Sequence, residues 1–228
     1  MYGKIFRRIE EKYVITKEQY EFLLKKISNH IERDKYFEST ICNIYFDTIQ
    51  NDLLIRSMDK PVYKMKVRLR SYGIPRKKDD VFLEVKSKHK DIVGKRRVKI
   101  KLNDFYKYIN KGLYDNHNQI MKELHYFFQY YKLQPTYYLA YDRKSYRGKE
   151  EEQLRITFDS NLRSRKEDLR LELGDAGKKY FEEEKYIMEV KTLDSMPLWL
   201  VRTLSELKIF PISFSKIGNI YRKDCVVC

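Results

Sequence analysis

The stretch YKMKVRLR, Tyr63–Arg70, decides the fold class of this chain. Its apolar positions share one side of an extended chain: Tyr63, Met65, Val67 and Leu69. The cations share the other side: Lys64, Lys66, Arg68 and Arg70. Alternation with period two predicts a β-strand that is buried on one face. Four like charges on the opposite face would repel those of a similar neighbouring strand, so we expect an anion to compensate them.

The same alternation recurs outward from this strand in both directions. The polar faces of the other predicted strands carry Arg8, Glu10 and Lys12; Glu84, Lys86 and Lys88; Lys95, Arg97, Lys99 and Lys101; Arg155, Thr157 and Asp159; and Glu189 and Lys191. For any single strand a solvated outer face is the preferred interpretation. Repetition of cation-rich faces favours strands that turn these faces toward one another around an anion. We therefore predict an α+β fold, a closed eight-stranded antiparallel β tunnel barrel with a charged interior and helices packed on the outside.

Helical periodicity appears in four places between the strands. Thr16 and Gln19 form a capping box ahead of a helix predicted over residues 17 to 32, with Ile31 on its apolar face. A second helix is predicted over residues 117 to 132, and a shorter one after Asn103. The last is expected to start at Pro197 and to bury three residues, Leu198, Val201 and Leu204.

Composition limits the class of partner and the compartment. The 228 residues fit one domain, 1–228, and the formal net charge of +15 favours a polyanion: nucleic acid, anionic lipid or phosphates. No apolar run could span a bilayer, and the N-terminal stretch lacks the apolar core of a signal peptide. Three cysteines are too few for a disulfide framework, so we expect a cytoplasmic protein, and the Cys225–Cys228 pair lacks the partners of a zinc site.

Short motifs in a fixed order make the chain similar to a known family. They are Lys12-Tyr13, Tyr45-Phe46-Asp47-Thr48, Val67–Gly73, Phe82–Lys86, Gly94–Arg97, Met188–Lys191 and Ser213–Lys216. Together they resemble the VTC domain, the polyphosphate polymerase domain of the vacuolar transporter chaperone complex, within the triphosphate tunnel metalloenzyme (CYTH-like) superfamily. The wider superfamily begins with an ExExK pattern, which reads Arg8, Glu10, Lys12 here and favours the VTC branch.

The resemblance implies a substrate, a metal and a reaction. The chain would transfer the γ-phosphate of ATP or another nucleoside triphosphate onto inorganic polyphosphate, with Mn²⁺ or Mg²⁺. The family motifs, together with positions on the inward-facing side of the predicted strands, give three catalytic residues: Arg68, Arg70 and Lys216. The same argument gives the phosphate-binding residues Lys12, Lys66, Lys86, Lys95, Arg97, Arg143, Arg155 and Lys191. A guanidinium grips two phosphate oxygens at once, which favours Arg68 and Arg70 in particular.

Three carboxylates are the candidate metal ligands. Glu189 leads, with Glu10 and Glu84 in support, because a hard divalent ion that clamps phosphates takes one or two carboxylates and fills its shell with water and substrate oxygens. Each of the three would serve equally well as the structural partner of a neighbouring cation. Mn²⁺ and Mg²⁺ suit these ligands equally.

Other functions stay open at this point. A tripolyphosphatase or nucleoside triphosphatase on the same fold would share almost every residue named above, and so would a non-catalytic polyphosphate-binding module. Nucleic-acid binding is suggested by net charge alone, and no recognised module supports it, so no nucleic acid is expected. The 20 tyrosines are better explained by core packing than by stacking on bases.

Overall fold

The regular elements of the described part of the chain are nine strands, six α-helices and one short 3-10 helix, Leu171–Leu173. The computed structural model describes residues 8–59, 61–90, 92–115 and 117–226, apart from the Arg8 side chain. The strands are β1 (Arg8–Thr16), β2 (Ile31–Asp47), β3 (Tyr63–Tyr72), β4 (Asp80–His89), β5 (Ile92–Lys101), β6 (Gln134–Gly148), β7 (Arg155–Arg165), β8 (Lys178–Lys179) and β9 (Lys185–Leu193). The helices are α1 (Lys17–Ile27), α2 (Asp52–Met58), α3 (Leu102–Lys111), α4 (Gln119–Tyr130), α5 (Leu198–Glu206) and α6 (Lys216–Val226).

Eight of the strands follow one another in the order β1-β9-β7-β6-β2-β3-β4-β5, and the short β8 pairs with β7. The β1–β9, β7–β9, β2–β3, β3–β4 and β4–β5 pairs are antiparallel. The expected α+β class and the antiparallel sheet are confirmed. The order ends at β1 and β5, and no pairing between these two strands occurs within the described residues, so closure of the barrel stays a prediction.

The chain divides into two compact units. Unit 1 combines the residues up to Ser39 with Tyr141–Leu162 and Lys179–Lys216, and unit 2 combines Thr40–Ala140 with Arg163–Lys178 and the residues from Ile217 onward. Each unit has its own apolar core. The expectation of one domain over residues 1–228 stays a prediction.

The core of unit 1 lies between strands and two helices. Apolar residues of β1, β7 and β9 pack against α1 and α5; they include Tyr13, Ile15, Ile156, Phe158, Met188 and Val190. Leu23 and Leu200 contribute from the two helices, and both are fully buried. The alternate residues of these strands are left for the opposite, polar face, as the period-two pattern predicts.

The core of unit 2 has the same construction on β2, β3 and β4. Met65, Val67, Leu69, Leu83 and Val85 pack against residues of α3 and α4, among them Phe105, Tyr108, Leu124 and Phe128. Burial of these large apolar and aromatic side chains is the main force that holds the helices on this face. The lysines and arginines of β3 and β4 therefore lie on the other face, as expected.

Two of the helix predictions need correction. α1 ends at Ile27, and Ile31 begins β2, where it is 5% exposed in the core of unit 1. An apolar residue at position 31 fits both the helical and the strand periodicity, so the sequence alone could not decide between helix and strand there. In α5 the side chains of Leu198 and Val201 are 71% and 44% exposed, whereas Leu200 and Leu204 are buried. This helix is apolar on several sides, and its sequence does not specify the buried one.

The other helices fall near their predicted positions. α4 begins after the N-cap Asn118 and ends at Tyr130, and α3 begins at Leu102. α2 and α6 were not predicted. None of the helices in the described ranges is both long and apolar enough to cross a bilayer. Of the CxxC pair, Cys225 is a free, exposed thiol and Cys228 lies outside the described residues.

Candidate functional site

In unit 2, four cations surround one buried carboxylate. Glu84 on β4 lies opposite Arg68 of β3 and opposite Arg97 of β5 in the strand register. Arg70 is two residues along β3 from Arg68, and Lys95 is two residues along β5 from Arg97, so all five side chains share the polar face. We call Arg68, Arg70, Glu84, Lys95 and Arg97 the Glu84 cluster.

The contacts within the Glu84 cluster are close. Arg68 donates from Nε to Glu84 Oε2 at 2.8 Å, and its Nη2 is also 2.8 Å from that oxygen. Lys95 Nζ lies 3.1 Å from the other oxygen, Oε1. Arg97 and Arg70 are farther away, at 3.9 Å and 4.0 Å. One carboxylate cannot neutralise four cations, so the cluster keeps a net positive charge.

This charge balance shifts the pKa of the carboxyl group. Burial by itself would raise the pKa of Glu84, but the positive charges of Arg68, Arg70 and Lys95 outweigh burial and lower it to about 2. Burial also lowers the pKa of Lys95, in spite of its contact with Glu84. Glu84 is therefore ionised at neutral pH and holds the surrounding cations in place.

Two residues of β2 support the arginines from the side. Tyr45 lies opposite Arg68 in the register, and its hydroxyl accepts a hydrogen bond from Arg68 Nη1 at 3.2 Å. Asn43 lies opposite Arg70, and its Oδ1 accepts from Arg70 Nε at 2.9 Å. Asn43 is itself held by a bond from its Nδ2 to the Leu139 carbonyl at 3.1 Å. Both guanidinium groups are thus oriented by neutral partners as well as by Glu84.

A row of three lysines runs beside the Glu84 cluster on the same face. Lys66 of β3, Lys86 of β4 and Lys95 of β5 occupy directly opposed positions. Like charges at such positions destabilise a sheet in the absence of a compensating anion. Lys66 and Lys86 thus lie next to the arginines on the polar face, as the strand pattern predicted, and a bound anion would offset the repulsion among the three lysines.

Unit 1 contains a second cluster, in which positive and negative charges are nearly balanced. It combines Glu10 and Lys12 of β1, Arg143 of β6, Asp159 of β7, Glu189 and Lys191 of β9, and Lys216 at the start of α6. In the register Lys12 lies opposite Glu189, and Glu10 lies opposite Lys191. We call these seven residues the Glu189 cluster.

Lys216 and Arg143 connect the two buried carboxylates of the Glu189 cluster. Lys216 Nζ lies 2.6 Å from Asp159 Oδ2 and 2.9 Å from Glu189 Oε1. Arg143 donates to both oxygens of Asp159, at 2.6 Å and 2.7 Å, and lies 3.7 Å from Glu189 Oε2. That same Oε2 accepts from Lys191 Nζ at 3.2 Å. Lys12 contacts Glu10 at 3.2 Å and donates to the Phe214 carbonyl at 3.3 Å.

Burial and charge act in opposite directions on these groups. Burial would raise the pKa of Glu189, but Lys216, Lys191 and Arg143 lower it well below its usual value. Burial would lower the pKa of Lys216, but Asp159 and Glu189 raise it. Both groups are therefore charged at neutral pH.

One expected phosphate ligand, Arg155, lies opposite Lys191 in the register but pairs with a residue outside the Glu189 cluster. Arg155 shares the polar face of β7 with Asp159, but its Nε lies 3.5 Å from Asp34, and it donates to the carbonyl groups of Glu152 and Leu154. Its side chain is 37% exposed. Its role as a phosphate ligand stays a prediction.

Besides Asn43, three residues in or next to these clusters had no role assigned from the sequence. Asp159 lies on the predicted polar face of β7, and Tyr45 lies in a quoted motif. Tyr141 lies two residues before Arg143, and its ring centroid is 4.9 Å from Lys216 Nζ and 5.3 Å from Arg143 Cζ. The alternation of the strands predicts that all three lie on the polar face, but it does not predict which side chains they contact.

The carboxylates do not fit a resident divalent metal. Both oxygens of Glu189 and both of Asp159 are engaged by ammonium or guanidinium groups, Glu10 pairs with Lys12, and Glu84 is surrounded by four cations. No group of three or more His, Cys, Asp or Glu suited to a metal ion occurs among the residues that the structure describes. A preformed metal site would present carboxylate oxygens to the ion, whereas here Glu84 Oε1, which accepts no hydrogen bond from any described residue, still lies 3.1 Å from the Lys95 ammonium group.

Comparison with known proteins shows the fold and the family. Among solved structures, the chain is similar to a proposed adenylate cyclase of Bacillus halodurans, at 14% identity over 91% of this chain and 93% of that one, with a TM-score of 0.54. A proposed adenylyl cyclase of Hippeastrum, described as having a dominant triphosphatase activity, matches at 16% identity over 96% of each chain, with a TM-score of 0.56. A search of curated proteins gave no match.

The family assignment depends on a separate finding. The sequence model of the VTC domain matches residues 7–223. The matched range includes every strand that carries a residue of the Glu84 or the Glu189 cluster, and it spans the ordered motifs from Lys12 to Lys216. The resemblance seen in the sequence is therefore confirmed, and the chain belongs to the VTC domain family.

Proposed function

We propose that this protein is a polyphosphate polymerase that transfers the γ-phosphate of ATP, or of another nucleoside triphosphate, onto inorganic polyphosphate. Membership of the VTC domain family supports a substrate of this class. The observation that carries the proposal is the Glu84 cluster, in which four cations face one carboxylate. We further propose a cytoplasmic location, which the reduced state expected of the three cysteines supports.

The Glu84 cluster suits a chain of phosphates for electrostatic reasons. Phosphoryl transfer needs in-line positioning and neutralisation of charge more than covalent chemistry. A charge pair at 4 Å is worth about 1 kcal/mol in water and about 4 kcal/mol at an effective dielectric constant of 20. Arg68 and Arg70 are 22% and 8% exposed, so a phosphate that reaches them gains more than it would at an open surface.

The divalent ion enters this proposal as part of the substrate. Mn²⁺ or Mg²⁺ would arrive bound to the nucleotide phosphates, since the residues that the structure describes include no preformed site for it. Phosphate oxygens would compete with Glu189 for Lys191 and Lys216 and would leave a Glu189 oxygen available to the incoming complex. Lys216 would then hold a phosphate oxygen, which is the catalytic role that we assign to it.

Hydrolysis is the second candidate function. The Hippeastrum protein, described as having a dominant triphosphatase activity, has the same fold. Water in place of a polyphosphate acceptor would use the same cations, so the residues named here fit both reactions. The acceptor therefore has to be identified by its product.

A product assay separates these reactions. Purified protein is incubated with ATP, Mn²⁺ and a short polyphosphate primer; polymer is resolved on a gel, and ADP and orthophosphate are measured. We expect polymer growth, with ADP formed in proportion to the phosphate incorporated. Orthophosphate without polymer would replace the proposal with a triphosphatase, and tight polyphosphate binding without any product would replace it with a binding module.

A further inference from the structure

A pocket in unit 2 has a different chemical character from either charged cluster. Its volume is about 460 Å³, and its walls come from the start of α2, the start of β6, the segment after β7, and α6. None of its lining residues belongs to the Glu84 cluster. The volume is within the range of small-molecule sites, about 300 to 1,000 Å³.

The lining of this pocket carries no net charge. Lys166 and Asp224 both line it, and Lys166 Nζ lies 3.2 Å from Asp224 Oδ2. Each charge is thus matched inside the pocket, in a chain whose formal net charge is +15. A polyphosphate would gain little here, because a paired lysine offers it no net attraction.

The walls of the pocket are largely apolar and aromatic. The rings of Tyr137 and Tyr221 lie 6.4 Å apart between centroids, at 72° to each other. Lys166 Nζ lies 5.3 Å from the Tyr137 ring centroid. Ile49, Pro135 and Leu169 complete the apolar lining. Tyr137 is 3% exposed and Lys166 lies over its ring, so Tyr221 provides the accessible aromatic surface, which favours a flat, uncharged ring.

Polar groups in the lining of the pocket are suited to hydrogen bonds with such a ring. Asn51 and Gln134 both line the pocket. Asn51 Oδ1 is buried, with no hydrogen-bond partner among the residues that the structure describes. An unmet buried acceptor is destabilising, and an N–H donor from a bound molecule would offset that cost.

From these features we propose that the pocket between Tyr137, Tyr221 and Asn51 binds a nucleobase or nucleoside. A nucleobase is flat and uncharged and carries N–H donors, and a nucleoside matches the volume. The proposal does not depend on the polymerase activity, because a nucleoside has no phosphate for either cluster to bind.

Calorimetric titration of the whole chain with adenosine, guanosine, cytidine and uridine tests this proposal. We expect at least one of the four to bind, and Tyr221→Ala to weaken that binding about tenfold, as expected for loss of one aromatic contact to a base. Asn51→Gly keeps the left-handed backbone at this position, φ 62°, and removes the amide, so it should also weaken binding. Arg96→Ala, on the opposite face of β5, is the matched control and should leave nucleoside binding unchanged.

Cys225 provides an independent readout, because it lines the pocket and is exposed whereas Cys42 is buried. In a Cys228→Ser background, the rate of Cys225 alkylation is measured by mass spectrometry with and without the nucleoside that binds. We expect the nucleoside to slow alkylation. The proposal is overturned if none of the four nucleosides binds, or if binding leaves both the alkylation rate and the affinity of Tyr221→Ala unchanged while melting curves show intact folding.

Discussion

At the scale of single residues, Arg68 contacts both the carboxylate of Glu84 and the hydroxyl of Tyr45. It donates to Glu84 from one side of its fork, and its Nη1 donates to the Tyr45 hydroxyl. Burial would raise the pKa of Tyr45, but Arg68 and Arg70 lower it, so this hydroxyl is a strong acceptor. Glu84 and Tyr45 together fix the plane of the guanidinium before any phosphate binds.

Arg68→Lys should lower kcat/KM about a hundredfold, because lysine keeps the charge but loses the planar fork that positions phosphate oxygens. The melting temperature should change little, since the ammonium group can still pair with Glu84. Steady-state kinetics with ATP and primer, alongside thermal melts, would measure both. Arg96→Lys is the matched control, because Arg96 lies on the opposite face of β5 and pairs with Glu123. Equal losses in both variants would contradict a specific role for Arg68.

The contribution of Glu84 to the free energy of unfolding depends on pH. Its pKa in the folded protein is about 2, below the usual 4.5, so its contribution is fully present above pH 4.5 and is lost as the pH falls toward 2. A shift of this size corresponds to about 3 kcal/mol. Glu84→Gln should therefore lower the free energy of unfolding at pH 7 and flatten its fall between pH 4.5 and pH 2, as measured by urea unfolding. Glu123→Gln serves as control, and an unchanged pH profile in Glu84→Gln would refute this account.

Glu189 tests whether a carboxylate of the Glu189 cluster contacts the metal ion of the substrate. Glu189→Gln should shift the midpoint of Mn²⁺ activation at fixed ATP upward by about tenfold, since a neutral amide is a poorer ligand for a hard cation. The readout is product formed across a Mn²⁺ titration. Glu184→Gln removes an exposed carboxylate that pairs with Lys17 and should leave the midpoint in place. If both variants titrate like the wild type, Glu189 is a structural partner of Lys216 only.

At the scale of elements, period-two alternation predicted the strands and the direction of their faces. It placed Arg68, Glu84 and Arg97 on one side because a strand has only two sides, and burial of Val67 and Leu83 selects which one faces the core. It could not show that Glu84 lies directly between Arg68 and Arg97, because register depends on contacts between distant segments. Arg155 illustrates the same limit, since parity grouped it with Asp159 while its contact is with Asp34.

The capping box of α1 should contribute to stability without contributing to activity. In the capping box of α1, Gln19 N donates to Thr16 Oγ1 at 3.2 Å, and Thr16 N donates to Gln19 Oε1 at 3.1 Å. Thr16→Ala should cost about 1 kcal/mol of unfolding free energy. Because neither residue belongs to a cluster, the activity of the folded protein should be unchanged. Urea unfolding and a turnover assay at low temperature would measure the two effects, and a loss of turnover with folding intact would show that α1 positions β1 for catalysis.

At the scale of the whole molecule, two explanations of polyphosphate binding compete. The formal net charge of +15 attracts any polyanion from a distance, whereas the Glu84 cluster attracts phosphate through a few close cations. Exposed charges are screened over about 10 Å at 0.1 M salt, so both terms weaken as salt is added. Single substitutions distinguish the two explanations. Removal of any one lysine lowers the net charge by the same amount, whereas only removal of a cluster lysine removes a close contact.

Lys95→Ala and Lys25→Ala lower the net charge equally, but only Lys95 lies within 4 Å of Glu84, and Lys25 is an exposed residue of α1. If close contacts carry binding, the slope of log Kd for tripolyphosphate against log salt concentration should fall by about one in Lys95→Ala and stay at the wild-type value in Lys25→Ala. Titrations at several salt concentrations would give these slopes. Equal slopes in the two variants would mean that the overall charge, and not the arrangement of cations around Glu84, holds the phosphate chain.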